Sequence, residues 1–480
     1  MSTRPEKPAT HAVFFPFPAQ GHVTPALHLA KLLHVRGGVR VTFVHSDRNR
    51  RRRRLLRTRG PAALAGAPGF GFASIPDGLP PPCGEDDGDS PQVMVSLLAS
   101  LDTFVPHLKK LLDDLSASGA PATCVVSDID PVLRAAADVG VRAVAFWTTS
   151  ACGLLASLQC QQLIDKGIIP LKDEEQLRDV YLDSTVIDPV PGLPADMRLR
   201  DMASFVRTTD PDDPVLRIVL AHMQALPTAA TAVVLNTFGE LEGEVVAAMS
   251  AVLPPIYAVG PLPLLTEADS GPLETLSANL TKEDDGCLAW LGSKEPRSVV
   301  YANFGSIVVL TSQQIEEFAW GLANSGYHFL MVLRGAMQTT TTLAPEFVEA
   351  TKDRGYVTSW CPQREVLRHQ AIGVFLTHCG WNSMLEGICS GVPMLCWPFG
   401  ADQHTNRRFA CTEWRVGVEI GSDVKRGEVE TLVRDVMGGE KERKMRGQAA
   451  QWEERASAAS EPGGPSWVNF DRLLNEVFHA

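Results

Sequence analysis

Two apolar runs joined through a polar turn and a short helix confine the C-terminal half of this chain to a small set of folds. Ile372 to Thr377 has the length and composition of a buried strand, Asn382 to Ser390 has helical spacing and stops at Gly391, and Val392 to Trp397 is apolar again. His378, Cys379, Gly380, Trp381, Asn382 and Ser383 therefore crowd into a strand-to-helix turn. A strand, a helix and a second buried strand form the repeating unit of a parallel sheet covered by helices.

That turn has a chemistry of its own. The first N–H groups of a helix lack partners within it, and the macrodipole adds partial positive charge, so a phosphate binds there without a nearby cation. His378 to Gln403 contains no Lys or Arg, which leaves those dipoles as the only local attraction for an anion. Glu386 lies one helical turn beyond Asn382, where its acceptor-only carboxylate suits a pair of ribose hydroxyls. Asp402 and Gln403 follow the second apolar run and offer hydrogen bonds to the hydroxyls of a sugar.

The stretch Trp360 to Gln403, WCPQREVLRHQAIGVFLTHCGWNSMLEGICSGVPMLCWPFGADQ, resembles the signature box of the plant secondary-product UDP-glycosyltransferases, glycosyltransferase family 1, over its full length and without a gap. The resemblance implies a GT-B fold: two doubly wound, Rossmann-like α/β domains facing a cleft. It also implies that Trp360 stacks on uracil, that Cys361 meets the base through its backbone, and that Gln363 lies nearby. His378, Asn382 and Ser383 would hold the diphosphate, Glu386 the ribose, and Trp381, Asp402 and Gln403 the sugar. A Gln in the last position goes with glucose as the donated sugar. Outside the box, Pro18 to His22 reads PAQGH and matches the family's catalytic histidine, Asp128 matches its catalytic aspartate, and the Gly305-Ser306 turn matches a second phosphate-facing turn through Ser306.

Composition bounds the partners. The net charge of −12 argues against nucleic acid or an anionic membrane as the main partner, since both need a basic surface. Ten scattered cysteines without a C-x-x-C pair, several inside apolar runs, read as small hydrophobes in a reducing compartment. No apolar run is long enough to span a bilayer, and a soluble, cytoplasmic monomer is expected.

Along the chain, Ala12 to Phe17 reads as the first strand and Thr24-Pro25 as the start of a helix, which puts His22 in the loop between them. The run Arg50 to Arg54 reads as a solvated helix face, Pro80 to Ser90 as an exposed loop, and Gln92 to Leu115 as helix. Thr123 to Ser127 and Val141 to Trp147 are strands that end at Asp128 and Thr148, so His22, Asp128 and Thr148 gather at one rim of one sheet. Leu171 to Pro214 reads as long loops with short helices, and Pro254 to Pro272 as the interdomain linker. Thr311-x-x-Gln314 is a capping box. The expected domains are 1–253 for the acceptor, 254–455 for the linker and the UDP-sugar, and 456–480 as a C-terminal helix returning to the first domain.

The chemistry follows from joining a hydroxyl to an anomeric carbon, which needs a base and a stabilised leaving diphosphate. Unperturbed imidazole titrates near pH ~6.5, so His22 suits the base, with Asp128 holding its other ring nitrogen. Asp130 is the alternative partner, because Ile129-Asp130-Pro131 departs from the family's pattern after the aspartate. Asp128-Ile129-Asp130 also spells the D-x-D of metal-dependent transferases, as do Asp87-Gly88-Asp89 and Asp210-Pro211-Asp212, yet no metal and no cofactor are expected; UDP-glucose is a co-substrate. A nicotinamide-dependent oxidoreductase is disfavoured because no G-x-G-x-x-G follows a predicted strand. A binder without turnover would not need both His22 and Asp128. The resemblance implies inverting transfer of glucose to a hydroxyl or carboxyl of a small apolar acceptor such as a flavonoid, terpenoid, cyanohydrin or hormone. It is nearest the branch that includes cyanohydrin, diterpenoid and cytokinin transferases.

Overall fold

The computed structural model of this protein describes residues 10–55, 67–79, 91–268, 273, 276, 279–334 and 343–480. Its apolar runs form two all-parallel sheets. The first contains β1 (His11–Phe15), β2 (Arg40–Ser46), β3 (Phe70–Ile75), β4 (Cys124–Ser127), β5 (Arg142–Trp147), β6 (Ala232–Leu235) and β7 (Ile256–Ala258), in the order β3-β2-β1-β4-β5-β6-β7. The second contains β8 (Val299–Asn303), β9 (His328–Val332), β10 (Gly355–Thr358), β11 (Ile372–Thr377), β12 (Met394–Cys396) and β13 (Gly417–Glu419), in the order β10-β9-β8-β11-β12-β13. Strand order therefore reverses between β1 and β4 in one sheet and between β8 and β11 in the other. Open α/β sheets bind ligands just beyond the carboxyl ends of their strands at such a switch point.

Near-continuous apolar strands are what a sheet covered on both faces requires. Along β1, Ala12 and Phe14 enter one core cluster while Val13 and Phe15 enter another. The cluster holding Val13 and Phe15 runs on into the second lobe, where it takes in Trp381 and Met384. Polar contacts seal the same seam. Arg407 donates to Asp201 Oδ1 at 2.8 Å and to Glu419 Oε2 at 2.6 Å, Thr405 Oγ1 donates to the Asp201 carbonyl at 2.7 Å, and Ser204 N donates to the Ala401 carbonyl at 3.0 Å.

The chain then returns to its first lobe. After the helix Glu440–Ser460, the helix Pro465–Leu473 puts Phe470 and Leu473 into the cluster that holds Ala12 and Phe14. The Arg36 guanidinium lies 3.3 Å above the Trp467 ring.

Several sequence expectations shift in ways the backbone explains. The first helix begins at Gln20 and runs to Val35, so His22 stands in its first turn and not in a loop, while Pro25 lies inside the helix. The expected linker contains β7, which pairs in parallel with β6 and carries the first sheet past residue 253, followed by the helix Leu262–Ala268. Gln92 to Leu115 divides into Pro91–Ala99, a 3₁₀ turn at Leu101–Thr103 and Phe104–Ala117. The Arg50 to Arg54 run is helical within Asp47–Leu55, with Arg50 donating to Ser74 Oγ at 2.7 Å. The loop expected from Pro80 to Ser90 lies outside the described residues. The capping box forms as read: Thr311 Oγ1 accepts from Gln314 N, and Gln314 Oε1 accepts from Thr311 N. Among the described residues no helix is long and apolar enough to cross a membrane.

Candidate active site

Beyond the switch point of the first sheet, three side chains converge. β1 and β4 lie side by side in register, Phe15 opposite Ser127, so the residues that follow them are neighbours. His22 Nδ1 lies 2.5 Å from Asp128 Oδ2 and 2.9 Å from Thr148 Oγ1. Asp128 is held from behind, since its Oδ1 accepts from Phe17 N at 2.7 Å. The carboxylate is buried while about a third of the His22 side chain is open, 6% against 32% exposed. Nδ1 therefore donates to the buried acid, and Nε2 has no hydrogen-bond partner among the described residues. Asp130, the alternative partner, instead opens the helix Asp130–Asp138 and pairs with Arg134 at 2.9 Å.

The second sheet presents a different chemistry. β11 ends at Thr377, and the helix Trp381–Cys389 begins at the N-cap Gly380, which supplies no side chain to cap the first N–H groups. Those donors remain for an anion. The His378 ring sits between Gly305 and Gly380: a Cβ on either would come within 2.4 Å of Nε2, and Gly305 has φ +78°. Burial lowers the His378 pKa to about 4, so the ring is neutral and offers one N–H. The Ser306 and Val308 carbonyls are both held by Arg334, the latter at 2.6 Å.

Around this turn the side chains organise one another. Gln363 donates to Ser383 Oγ at 2.9 Å and to Glu386 Oε2 at 2.7 Å, while its Oε1 accepts from Asn303 Nδ2 at 2.7 Å and from the Tyr301 hydroxyl at 3.0 Å. Its amide is fully engaged, so Gln363 orients Ser383 and Glu386. Burial pushes the Glu386 carboxyl above its usual range. Asp402 Oδ2 accepts from Asn406 Nδ2 at 2.8 Å, and burial pushes its carboxyl up to about 6. Gln403 Oε1 accepts from Phe399 N and Gly400 N at 2.9 and 3.0 Å, which turns its NH₂ into the group available to a ligand. Trp360 is half-buried, its carbonyl accepting from Asp284 N at 2.9 Å, and the Cys361 thiol lies 3.3 Å from the Tyr301 hydroxyl.

The resemblance assigns Trp381 to the sugar. Its indole is buried against Trp414 and donates to the Asn236 carbonyl at 2.9 Å, so only its backbone faces the turn. Tyr301, Asn303, Arg334 and Asn406 were not among the sequence candidates. Arg334 and Asn303 stand at or just past strand ends, the one positional signal that marks them; Tyr301 and Asn406 carry none.

The two halves meet across the cleft. Asn382 Nδ2 donates to the Gly21 carbonyl at 2.7 Å, one residue before His22. A polarised imidazole and an uncapped helix N-terminus thus face each other, which is the arrangement for moving a group off a diphosphate onto a deprotonated acceptor.

The family model described as UDP-glucoronosyl and UDP-glucosyl transferase matches residues 216–449. The chain is 50% identical to 7-deoxyloganetin glucosyltransferase of Gardenia jasminoides, covering 98% of each chain. This protein belongs to the UDP-glycosyltransferases. It is also 46% identical to (R)-mandelonitrile beta-glucosyltransferase of Prunus dulcis, covering 99% of each. The crystal structure of a UDP-glucose: anthocyanidin 3-O-glucosyltransferase in complex with UDP superposes on this glycosyltransferase with TM-score 0.80 and 28% identity, over 98% of this chain and 99% of that one. The fold is the GT-B arrangement of these enzymes.

Gly305→Ala tests the crowded turn. It should lower stability to urea by about 1–3 kcal/mol, because the methyl meets His378 and the backbone sits at positive φ. Gly427→Ala, which meets nothing within 4 Å, should leave stability unchanged or slightly raised. Equal losses in the two variants would contradict this reading of the turn.

Proposed function

We propose that this UDP-glycosyltransferase transfers glucose from UDP-glucose, with inversion, to a hydroxyl or carboxyl of a small apolar acceptor, His22 acting as general base. The observation that carries the proposal is the His22–Asp128 pair standing one residue from the Gly21–Asn382 contact, which brings base and diphosphate turn together. With Nδ1 donating to Asp128, Nε2 takes the proton of the acceptor hydroxyl. The acceptor oxygen bonds to the anomeric carbon as the bond from that carbon to the UDP oxygen breaks. Asp128 stabilises the imidazolium that forms, and Thr148 fixes the ring and reaches toward the sugar.

On the donor side, Trp360 stacks on uracil beside the Cys361 backbone, and Glu386 takes the ribose hydroxyls. Asn382, Ser383, His378 and Ser306 line the diphosphate, supported by the unpaired N–H groups of the helix Trp381–Cys389. Asp402 and Gln403 read the sugar. The names of similar proteins, a 7-deoxyloganetin and an (R)-mandelonitrile glucosyltransferase, support a small-molecule acceptor. The first lobe serves the acceptor, the second the UDP-sugar, and the C-terminal helix braces the first. We assign no metal to the reaction: Asp128 is engaged by His22, and Asp130 pairs with Arg134. A cytoplasmic monomer completes the reading.

His22→Ala should lower turnover by roughly 10²–10⁴ while calorimetry finds UDP affinity intact; unchanged turnover would remove His22 from the role of base. Asp402 supplies a pH test. Its carboxyl, raised to about 6, accepts hydrogen bonds as a carboxylate above that pH and loses the capacity as it is protonated below it. UDP-glucose should therefore bind the parent more weakly as pH falls through about 6, while its binding to Asp402→Asn lacks that dependence. Parallel pH curves for the parent and Asp402→Asn would contradict the assignment.

A further inference from the structure

Pro25 lies inside the helix Gln20–Val35, five residues beyond its first position, where proline is the residue a helix tolerates least. In a regular helix the N–H at this position donates to the carbonyl four residues earlier, that of Gly21. Proline has no N–H, so the Gly21 carbonyl is denied its helical partner. That same carbonyl accepts from Asn382 Nδ2, on the opposite lobe, at 2.7 Å. Its neighbours on either side are fixed separately. Gln20 donates to Thr24 Oγ1 at 2.7 Å and accepts from Leu280 N at 2.8 Å, and His22 is held by Asp128 and Thr148. The acceptor without a helical donor therefore sits at the point where the base-bearing helix and the uncapped helix of the donor lobe approach each other.

We propose that Pro25 is a positioning residue, which withholds an N–H from the Gly21 carbonyl so that Asn382 engages it and sets the distance between His22 and the diphosphate turn. A carbonyl oxygen has two lone pairs, so restoring the N–H divides the acceptor between an intrahelical donor and Asn382, and draws the carbonyl toward its own helix. The ring of Pro25 is buried, so the test has to separate the missing donor from the ring's volume.

The inference rests on the reading of His22 and Asn382 as parts of one site. The experiment compares the full chain with P25A and P25V, both of which restore an N–H; the valine keeps more of the buried volume. Each variant should keep or raise the thermal midpoint, leave the dissociation constant for UDP within about twofold, and lower kcat about three- to tenfold, the range of one weakened hydrogen bond. Placed on N382A, the P25A change should cost less than about twofold more, because the donor it disturbs is gone. Unaltered kcat in both P25A and P25V, or the same fold loss with and without Asn382, overturns the proposal. A lower thermal midpoint with additive losses also overturns it, by reducing Pro25 to a packing residue. H22A with full turnover would refute the underlying site reading, whereas additive P25A and N382A losses refute only this inference.

Discussion

One geometric constraint governs the rest: the switch points of two parallel sheets must face each other across a narrow gap. Each sheet delivers its reactive groups just beyond the carboxyl ends of its central strands. His22 and Asp128 follow β1 and β4; Ser306 and His378 follow β8 and β11. In the proposed reaction neither set moves a glycosyl group alone, because the base is assigned to one and the leaving group to the other. The seam that registers them combines a shared apolar core with the Asp201–Arg407–Glu419 cluster, the Ser204–Ala401 backbone contact and Asn382 reaching Gly21.

In the proposed reading the donor side meets an anionic ligand in a protein of net charge −12, and it does so with dipoles. The first turn of the helix Trp381–Cys389 lacks a side-chain cap, and the His378 ring beside it, kept neutral by burial, adds no full charge. A buried cation beside the turn, Arg334, donates to the Ser306 and Val308 carbonyls and so shapes the loop. Dipoles fixed by backbone geometry need no reorganisation when negative charge develops on the departing diphosphate, and that is the condition for electrostatic stabilisation of a transition state.

How much of this was legible depended on range. The strand, turn and helix of the Trp360 to Gln403 stretch, and the capping box at Thr311, follow from local spacing and appear within a residue or two of their expected limits. The His22–Asp128 contact was legible because strand ends converge in a doubly wound sheet. The start of the first helix was not, since Thr24-Pro25 imitates an N-terminus while the helix opens at Gln20. β7 was hidden among the prolines of an apparent linker, and only its pairing with β6 reveals it. The burial of the Trp381 indole was not legible for a similar reason: its partner, the Asn236 carbonyl, lies in the other lobe, and no local pattern encodes such a contact.

The most direct test of the whole account is a crystal structure with UDP bound. The account predicts diphosphate oxygens within hydrogen-bond reach of the N–H groups that begin the helix Trp381–Cys389, ribose hydroxyls on Glu386, and His22 Nε2 directed at the space beyond the β-phosphate. A diphosphate seated away from that helix, or a His22 ring turned from the cleft with Asp128 unpaired, would contradict it.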